Sequence, residues 1–347
     1  MNRRPTSADV AKLAGVSRQT VSGFMNGTRT VSPATASRIN DAFRQLEYRP
    51  NSAARELRGI ATKRVGLVVA DTSGPIWGNS IKGVQQHLAG CGYQVLLYDN
   101  DEDPEREAAS LRMILAERVD GVIFIPVPGS HEDLVQRVAA RVPIVQIIRR
   151  QFEDIDSITA DNFNGAREAT AHLLDLGYER IACVAGNFAV SSTRERLDGY
   201  KAALASRAIR FDPSLVSAFA TDPATSSAAA AGILGAANRP DAILALNHVQ
   251  VFGFLKVARD LRIMVPKRLG IIAYDEMPWS ALTDPPLTSI SQPIGELARR
   301  AATLLIERME AAELPQEPAR IMFPVTMIDR CSCGTDRAHA RLKLVRP

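Results

Sequence analysis

Residues Ala8 to Asn26, ADVAKLAGVSRQTVSGFMN, read as two short helices joined by a sharp turn, with a polar start to the second. Ser7 stands where it can cap the first helix, Val10, Leu13 and Ala14 recur at helical spacing, and Gly15 supplies a turn residue without a Cβ penalty. Ser17 is placed to cap the second helix. From that cap Arg18, Gln19, Thr20 and Ser22 project outward while Val21, Phe24 and Met25 face a small core, which sets hydrogen-bonding groups where a recognition helix meets base edges. Val31-Ser32-Pro33 opens a third helix, with a capping serine followed by proline at the first helical position.

An ordinary helical hairpin would share this pattern, and charge placement separates the two readings. Residues 1–64 hold 12 Lys+Arg against 4 Asp+Glu, a balance of +8, whereas the whole chain stands at +4, so the remainder carries −4. A basic module on a mildly acidic body is expected when one part neutralises phosphates and the other must not adhere to nucleic acid.

At 347 residues, 46% of them hydrophobic, the chain can bury a large core, and a small headpiece with a two-part body is the natural organisation. No membrane span is visible, and MNRRPTSADVAK has no apolar signal core, so a cytoplasmic protein is expected. The four cysteines, Cys91, Cys183, Cys331 and Cys333, are too scattered for a disulfide framework. Cys331-Ser332-Cys333 with distant His339 has metal-ligand chemistry in principle, but a reduced surface or strand pair is the preferred reading; no metal and no cofactor is expected.

Past the third helix, Tyr48-Arg49-Pro50-Asn51 breaks the pattern, and Asn51 to Arg58 spells a two-turn helix ended by Gly59. A helix of that length is unstable alone and is expected to order only against DNA and a dimer mate; a solvated linker is the alternative. Leu57, flanked by Arg55 and Arg58, suits a wedge that opens a minor-groove step while the arginines meet phosphates or the narrow groove.

From Arg64 onward the rhythm is apolar strand, polar turn and amphipathic helix. Strands are expected at 65–70, 93–98, 121–126 and 144–148, with helices at 79–89, 104–117 and 132–139. After a helix at 164–176, a second half has strands at 180–184, 242–246 and 270–273 and helices at 193–206, 225–236 and 249–260. Continuous apolar strands with intervening helices imply parallel sheets covered on both faces, and a ligand would bind beyond the carboxyl ends of the strands, between the halves.

The motifs DVAKLAGVSRQTVSGFMNG, VSPAT, LEYRPNSAARELRG, ADNFNGAREATAHLLDLGYERIACVAG, RERLDGYKAAL, LGIIAYDE and PPLTSISQP together give nearly the whole chain a resemblance to the LacI/GalR family of transcription regulators. The core of that family resembles periplasmic sugar-binding proteins. The resemblance implies an all-α helix-turn-helix headpiece (1–48), a hinge (49–63) and an α/β core of two doubly wound parallel-sheet subdomains, 64–161 with 291–318 and 162–290 with 319–335, before a tail at 336–347. Three chain crossings would lie near 160–164, 288–293 and 314–321, and Met322 to Ile328 would form the last strand.

Matched position by position, the resemblance implies that Arg18 and Gln19 read bases, that Ser17, Ser22 and Asn26 touch phosphate, with Thr20 on the same face, and that Leu57 is the hinge wedge beside Arg55 and Arg58. Gly23 departs from the family, several members of which have a long polar or basic side chain there. In the effector cleft Arg196, Asn247 and Asp275 match, His248 and Ile148 replace acids, and Arg149 follows Ile148; Trp77, near the first cleft loop, is placed either to stack on a ring or to pack, partly buried, against its neighbours. Fewer acids beside Arg196, His248 and Arg149 suggest an anionic or less hydroxyl-rich effector, such as a sugar acid or sugar phosphate, over a neutral hexose.

The implied function is a transcriptional regulator of the repressor type, a homodimer on a pseudo-palindromic double-stranded operator, controlled by a small-molecule effector. Enzyme chemistry is not expected, because G-x-G-x-x-G after the first strand, G-x-x-x-x-G-K-[ST], G-x-S-x-G and H-E-x-x-H are all absent. The rival is a solute-binding sensor without DNA-binding function. The tail RAHARLKLVRP has no sustained heptads, so no assembly beyond the dimer is expected.

Overall fold

The computed structural model describes residues 5–25, 29–48, 61–72, 74–219, 222–313 and 317–334. They divide between two compact units, residues 1–62 and 63–347. Asn26, Arg55, Leu57, Arg58, the helix read over 51–58, His339 and the tail at 336–347 lie outside the described residues.

The first unit has helices α1 (Ser7–Ala14), α2 (Arg18–Met25) and α3 (Pro33–Gln45). Thr6, not Ser7, caps α1: its backbone N–H donates to Asp9 Oδ2 at 2.7 Å and the Asp9 N–H returns to Thr6 Oγ1 at 3.4 Å, a reciprocal box that satisfies two otherwise orphaned donors. Gly15 ends α1 at φ +66°, the left-handed region that favours glycine. Ser32 caps α3 ahead of Pro33. Val10, Ala14, Val21, Ile39 and Ala42 form the buried centre, with Phe24 and Met25 packed against it. Leu13 instead remains 49% exposed, because Val10, Ala11 and Ala14 already fill the face of α1 that meets the other helices.

The second unit runs β1 (Arg64–Val69), α4 (Pro75–Gly90), β2 (Gln94–Asp99), α5 (Pro104–Glu117), β3 (Gly121–Phe124), α6 (Glu132–Ala139), β4 (Ile144–Ile147) and β5 (Asp156–Ala160). It continues through α7 (Asn162–Asp175), β6 (Ile181–Ala185), α8 (Ser191–Ser206), β7 (Val216–Ala218), α9 (Pro223–Gly235), β8 (Ala242–Ala245), α10 (His248–Asp260) and β9 (Gly270–Tyr274). It ends with β10 (Thr288–Ser291), α11 (Ile294–Glu310), β11 (Arg320–Phe323) and β12 (Thr326–Ile328). One sheet has the order β11-β5-β4-β3-β1-β2 and is parallel throughout; the other, β12-β10-β9-β8-β6-β7, is parallel except for β12. The central strands are apolar and buried along their length, as sheets covered on both faces require.

The single last strand read over 322–328 is two strands in different sheets. Pro324 has no backbone N–H to give a ladder, so the chain leaves β11, which pairs with β5, and re-forms as β12 antiparallel to β10. The third crossing therefore lies at Pro324-Val325, not at 314–321, and residues 320–323 belong with the first sheet instead of the 319–335 segment of the second half. Strands β5, β7 and β10 and helix α11 were absent from the sequence reading, which gave residues 288–293 as a chain crossing; α11 packs beside α4 and against β3, β4 and β5.

Candidate functional site

Two arrays of polar groups stand out, one in each unit. In the headpiece Ser17 Oγ accepts the Thr20 N–H at 3.1 Å, fixing the start of α2, and leaves Arg18 and Gln19 exposed on its first turn; Thr20 and Ser22 are half-buried beside them. Arg18 Nε donates to Ser7 Oγ at 3.2 Å. Gly23 has a local reason for lacking a side chain: a Cβ there would lie 2.7 Å from the Arg29 Cβ, and the Arg29 N–H donates to the Gly23 carbonyl at 3.2 Å. Arg29 is exposed, and its Nη1 reaches Thr20 Oγ1 at 3.4 Å. The Arg29 side chain thus packs beside Gly23 and reaches Thr20 from six residues further along the chain. Sequence reasoning missed Arg29, and its only signal was a basic residue soon after a glycine where a long side chain is usual.

In the core, the predicted effector residues gather at the carboxyl ends of the strands as two clusters. In the first half Arg149, just past β4, is buried and forks onto Glu102, with Nη1 to Oε2 at 2.8 Å and Nη2 to Oε1 at 2.6 Å. Its guanidinium lies 5.2 Å from the Trp77 ring centroid. Trp77 sits in the first turn of α4, which begins at Pro75, four residues earlier than its apolar periodicity indicated. Ile148 holds φ +68°, and the Arg149 N–H closes a tight turn onto Ile147 O at 2.7 Å. A β-branched residue in the left-handed region is strained, and the strain aims Arg149. Buried Glu107 accepts the Val127 N–H at 2.9 Å, and burial pushes its carboxyl up to about 7.

In the second half Arg196, on α8, is buried and donates from Nε to Asn162 Oδ1 at 2.9 Å and from Nη1 to Leu246 O at 2.6 Å. Its guanidinium stacks 3.7 Å from the centroid of Tyr274. Asp275, also at positive φ (+76°), accepts Gln292 Nε2 at 2.6 Å and lies 3.5 Å from His248 Nδ1. Burial raises the Asp275 carboxyl, but the His248 imidazole, the Arg196 charge and the Gln292 amide outweigh it and hold the group below the ordinary carboxylate range. Asn247 caps α10, its Oδ1 accepting the Val249 and Gln250 N–H groups at 2.9 and 3.1 Å. The halves approach closely here: a Cβ on Gly74 would lie 3.2 Å from Trp77 and 3.8 Å from His248, and the Arg150 N–H donates to Ser191 Oγ at 3.0 Å.

All six predicted cleft residues thus fall in these two clusters. Glu102, Asn162, Tyr274 and Gln292 join them and were not read from sequence. The expected shortage of acids is corrected, because Glu102 supplies one that already engages Arg149. A groove of about 400 Å³ between α4 and α11 shares only Gln292 with the residues of the two clusters. Among the described residues no helix is long and apolar enough to cross a membrane.

Residues 6–51 match the family model of bacterial regulatory proteins of the lacI family, and residues 170–333 match that of a periplasmic binding protein-like domain. The HTH-type transcriptional regulator DegA of Bacillus subtilis is 32% identical over 300 residues, covering 85% of this chain and 88% of DegA. The HTH-type transcriptional repressor PurR of Haemophilus influenzae is 30% identical over 329 residues, 94% and 98% of the two chains. Among solved structures, the transcriptional regulator CelR in complex with cellobiose superposes with TM-score 0.71 at 31% identity, covering 95% of this chain and 100% of CelR. The lac repressor dimer bound to operator and the anti-inducer ONPF gives TM-score 0.84 at 24% identity over 96% and 100%, a likeness of fold.

Proposed function

Because the chain belongs to the LacI family of bacterial regulatory proteins, we propose that it represses transcription as a dimer on a pseudo-palindromic operator and that a sugar-type effector in the core controls its affinity. It is a DNA-binding regulator, not an enzyme, as its relatives are. The observation that carries the reading is the exposed row of Ser17, Arg18 and Gln19 on a capped second helix of a basic three-helix unit. Arg18 suits guanine and Gln19 adenine, each good bidentate contact being worth roughly 1–3 kcal/mol of discrimination. Arg29 adds a base or phosphate contact on that face, Ser17, Ser22 and Asn26 meet phosphates, and Arg55, Leu57 and Arg58 act at the minor groove. Function places the protein in the cytoplasm, with the DNA it reads.

The effector is held by Arg196, Asp275, Asn247 and His248 on one side and by Trp77 and Arg149 on the other. Each guanidinium has a carboxylate near it, Glu102 beside Arg149 and Asp275 within the field of Arg196, so the cleft offers donors and acceptors with its charges nearly balanced. That balance favours a hydroxyl-rich ligand over a phosphorylated one, which would have to displace Glu102. The CelR complex with cellobiose is a relative of this kind. Binding shifts one half of the core against the other and so changes the spacing of the two hinges, for which the effector must distinguish the two states by roughly 1–3 kcal/mol. Gel-shift assays with DNA upstream of neighbouring genes test the DNA function: salt-sensitive, sequence-specific retention supports it, and its absence under all ligand conditions favours a sensor alone. Calorimetric titration with gluconate-like acids and their neutral counterparts tests the effector class, and tighter binding of the acids would overturn the neutral reading.

A further inference from the structure

Away from the cleft, three side chains of different chemistry converge where the segment after β12 meets the last turn of α7. Cys333 Sγ lies 3.4 Å from His172 Nε2 and 3.7 Å from Asp329 Oδ1, and His172 Nε2 lies 3.8 Å from Asp329 Oδ1. One ligand atom from each falls within 4.8 Å of the others. A tetrahedral ion with a metal–sulfur distance of about 2.3 Å and metal–nitrogen and metal–oxygen distances of about 2.0–2.2 Å has ligand–ligand edges of about 3.3–3.6 Å. The three separations sit within a few tenths of an ångström of those edges, and small side-chain rotations close the difference.

The backbone that presents these groups is firmly held. Ser332 Oγ accepts the Thr288 N–H at 2.8 Å and donates to Ile271 O at 2.6 Å, while the Arg330 N–H donates to Thr288 Oγ1 at 2.9 Å. Arg330 forks onto Glu276 at 2.7 and 3.0 Å, and the Tyr178 hydroxyl donates to Cys333 O at 3.1 Å. Asp329 and Cys333 are thereby fixed four residues apart on a pinned segment. The thiol itself is buried, with Thr288 Oγ1 3.2 Å from its sulfur. The side chains of His172 and Asp329 are 21% and 41% exposed, which opens a path from solvent.

We propose that His172, Asp329 and Cys333 bind a thiolate-preferring divalent cation of the Zn²⁺ type, with water completing a four-coordinate site. One nitrogen, one sulfur and one carboxylate oxygen suit Zn²⁺ or Co²⁺ and not the all-oxygen shells of Mg²⁺ or Ca²⁺. The ion would clasp the last turn of α7 to the segment after β12, joining residues 161 positions apart in the chain. The sequence pairing of Cys331 with Cys333 does not form this site, because Cys331 faces solvent.

The test uses the full-length, reduced, chelator-treated protein titrated with Co²⁺. One equivalent is expected to give a thiolate-to-cobalt charge-transfer band and the intense visible bands of a four-coordinate ion, both removed by Zn²⁺. Cys333→Ser abolishes the charge-transfer band and Cys331→Ser retains it. Asp329→Asn, at an exposed position, keeps the fold by circular dichroism yet weakens Co²⁺ binding about tenfold or more, and His172→Gln does likewise. Absence of the band in the unaltered protein overturns the proposal. A band that survives Cys333→Ser, or that ignores both Asp329→Asn and His172→Gln, overturns it equally.

Discussion

Replacing Arg196 with Met tests how the core is held together at its candidate ligand site. The side chain is only 6% exposed and makes two charge-assisted hydrogen bonds, to Asn162 Oδ1 and Leu246 O, besides lying over the Tyr274 ring. Such bonds contribute roughly 1.5–3 kcal/mol each, and a desolvated cation–π contact about 2 kcal/mol. Methionine regains part of this by apolar packing, but it leaves the buried Asn162 Oδ1 and Leu246 O without their donor, each unsatisfied acceptor costing about 1–3 kcal/mol. It also removes a positive charge that acts on Asp275, so a total loss of about 3–5 kcal/mol is expected. At about 2–4 °C per kcal/mol the core melts roughly 6–20 °C lower. Arg149→Met is the comparison: it frees Glu102, whose side chain is 43% exposed and can turn to water, and it removes a longer 3.3 Å bond to the Pro126 carbonyl, so its cost is expected to be smaller, about 1–2 kcal/mol. Asp275 supplies a second readout. Its folded pKa is depressed, so it contributes stability above its unfolded pKa that is lost as pH falls through the folded value, and in Arg196→Met that loss begins at higher pH. Thermal unfolding followed by circular dichroism from pH 3 to 8 at fixed ionic strength measures both effects. An Arg196→Met protein within about 1 kcal/mol of the parent, or an equal loss in Arg149→Met, would refute the reasoning.

Four other outcomes follow from particular contacts. Glu107 has a folded pKa raised to about 7, so its contribution is fully present below its unfolded pKa and is lost as pH rises through 7; Glu107→Gln keeps an oxygen for the Val127 N–H, flattens the pH profile and is more stable than the parent at pH 8. Gly199→Ala places a Cβ 2.1 Å from the Phe163 carbonyl oxygen between α7 and α8, and chemical denaturation should show a loss of about 1–3 kcal/mol or more. Arg29→Ala should reduce specific operator affinity about tenfold to a hundredfold and non-specific affinity far less, as read by competition gel shifts; equal losses would place Arg29 on phosphate alone. Leu57→Ala should weaken specific binding more than non-specific binding in the same assay, and an equal loss counts against a minor-groove wedge.

The headpiece was legible because its signals are local: a capped turn, Gly15 and apolar spacing all fall within twenty residues. The central strands were legible because burial on both faces makes them continuous apolar runs. Strand β5 was hidden because DSITA opens on a charge, and Asp156 is tolerated there only through Arg308 at 2.7 and 3.0 Å and the Ala319 N–H at 2.6 Å, partners more than 150 residues away. Arg196, Asn247 and Asp275 could be carried over from matching motifs, and Trp77, Arg149 and His248 were read from their places beside such positions, yet nothing in the order of residues showed that Glu102 would fork onto Arg149. Arg29 and the meeting of His172 with Cys333 were concealed for the same reason, since proximity in space leaves no spacing in the chain.

Selection from a random duplex library by the full-length protein, at two salt concentrations, tests the central claim most directly. Two inverted half-sites should be enriched, with a guanine or adenine preference in each that disappears in Arg18→Ala and Gln19→Ala, and with affinity falling steeply as salt rises. A pool without enrichment, or one whose preference survives both substitutions, would contradict a headpiece that reads DNA.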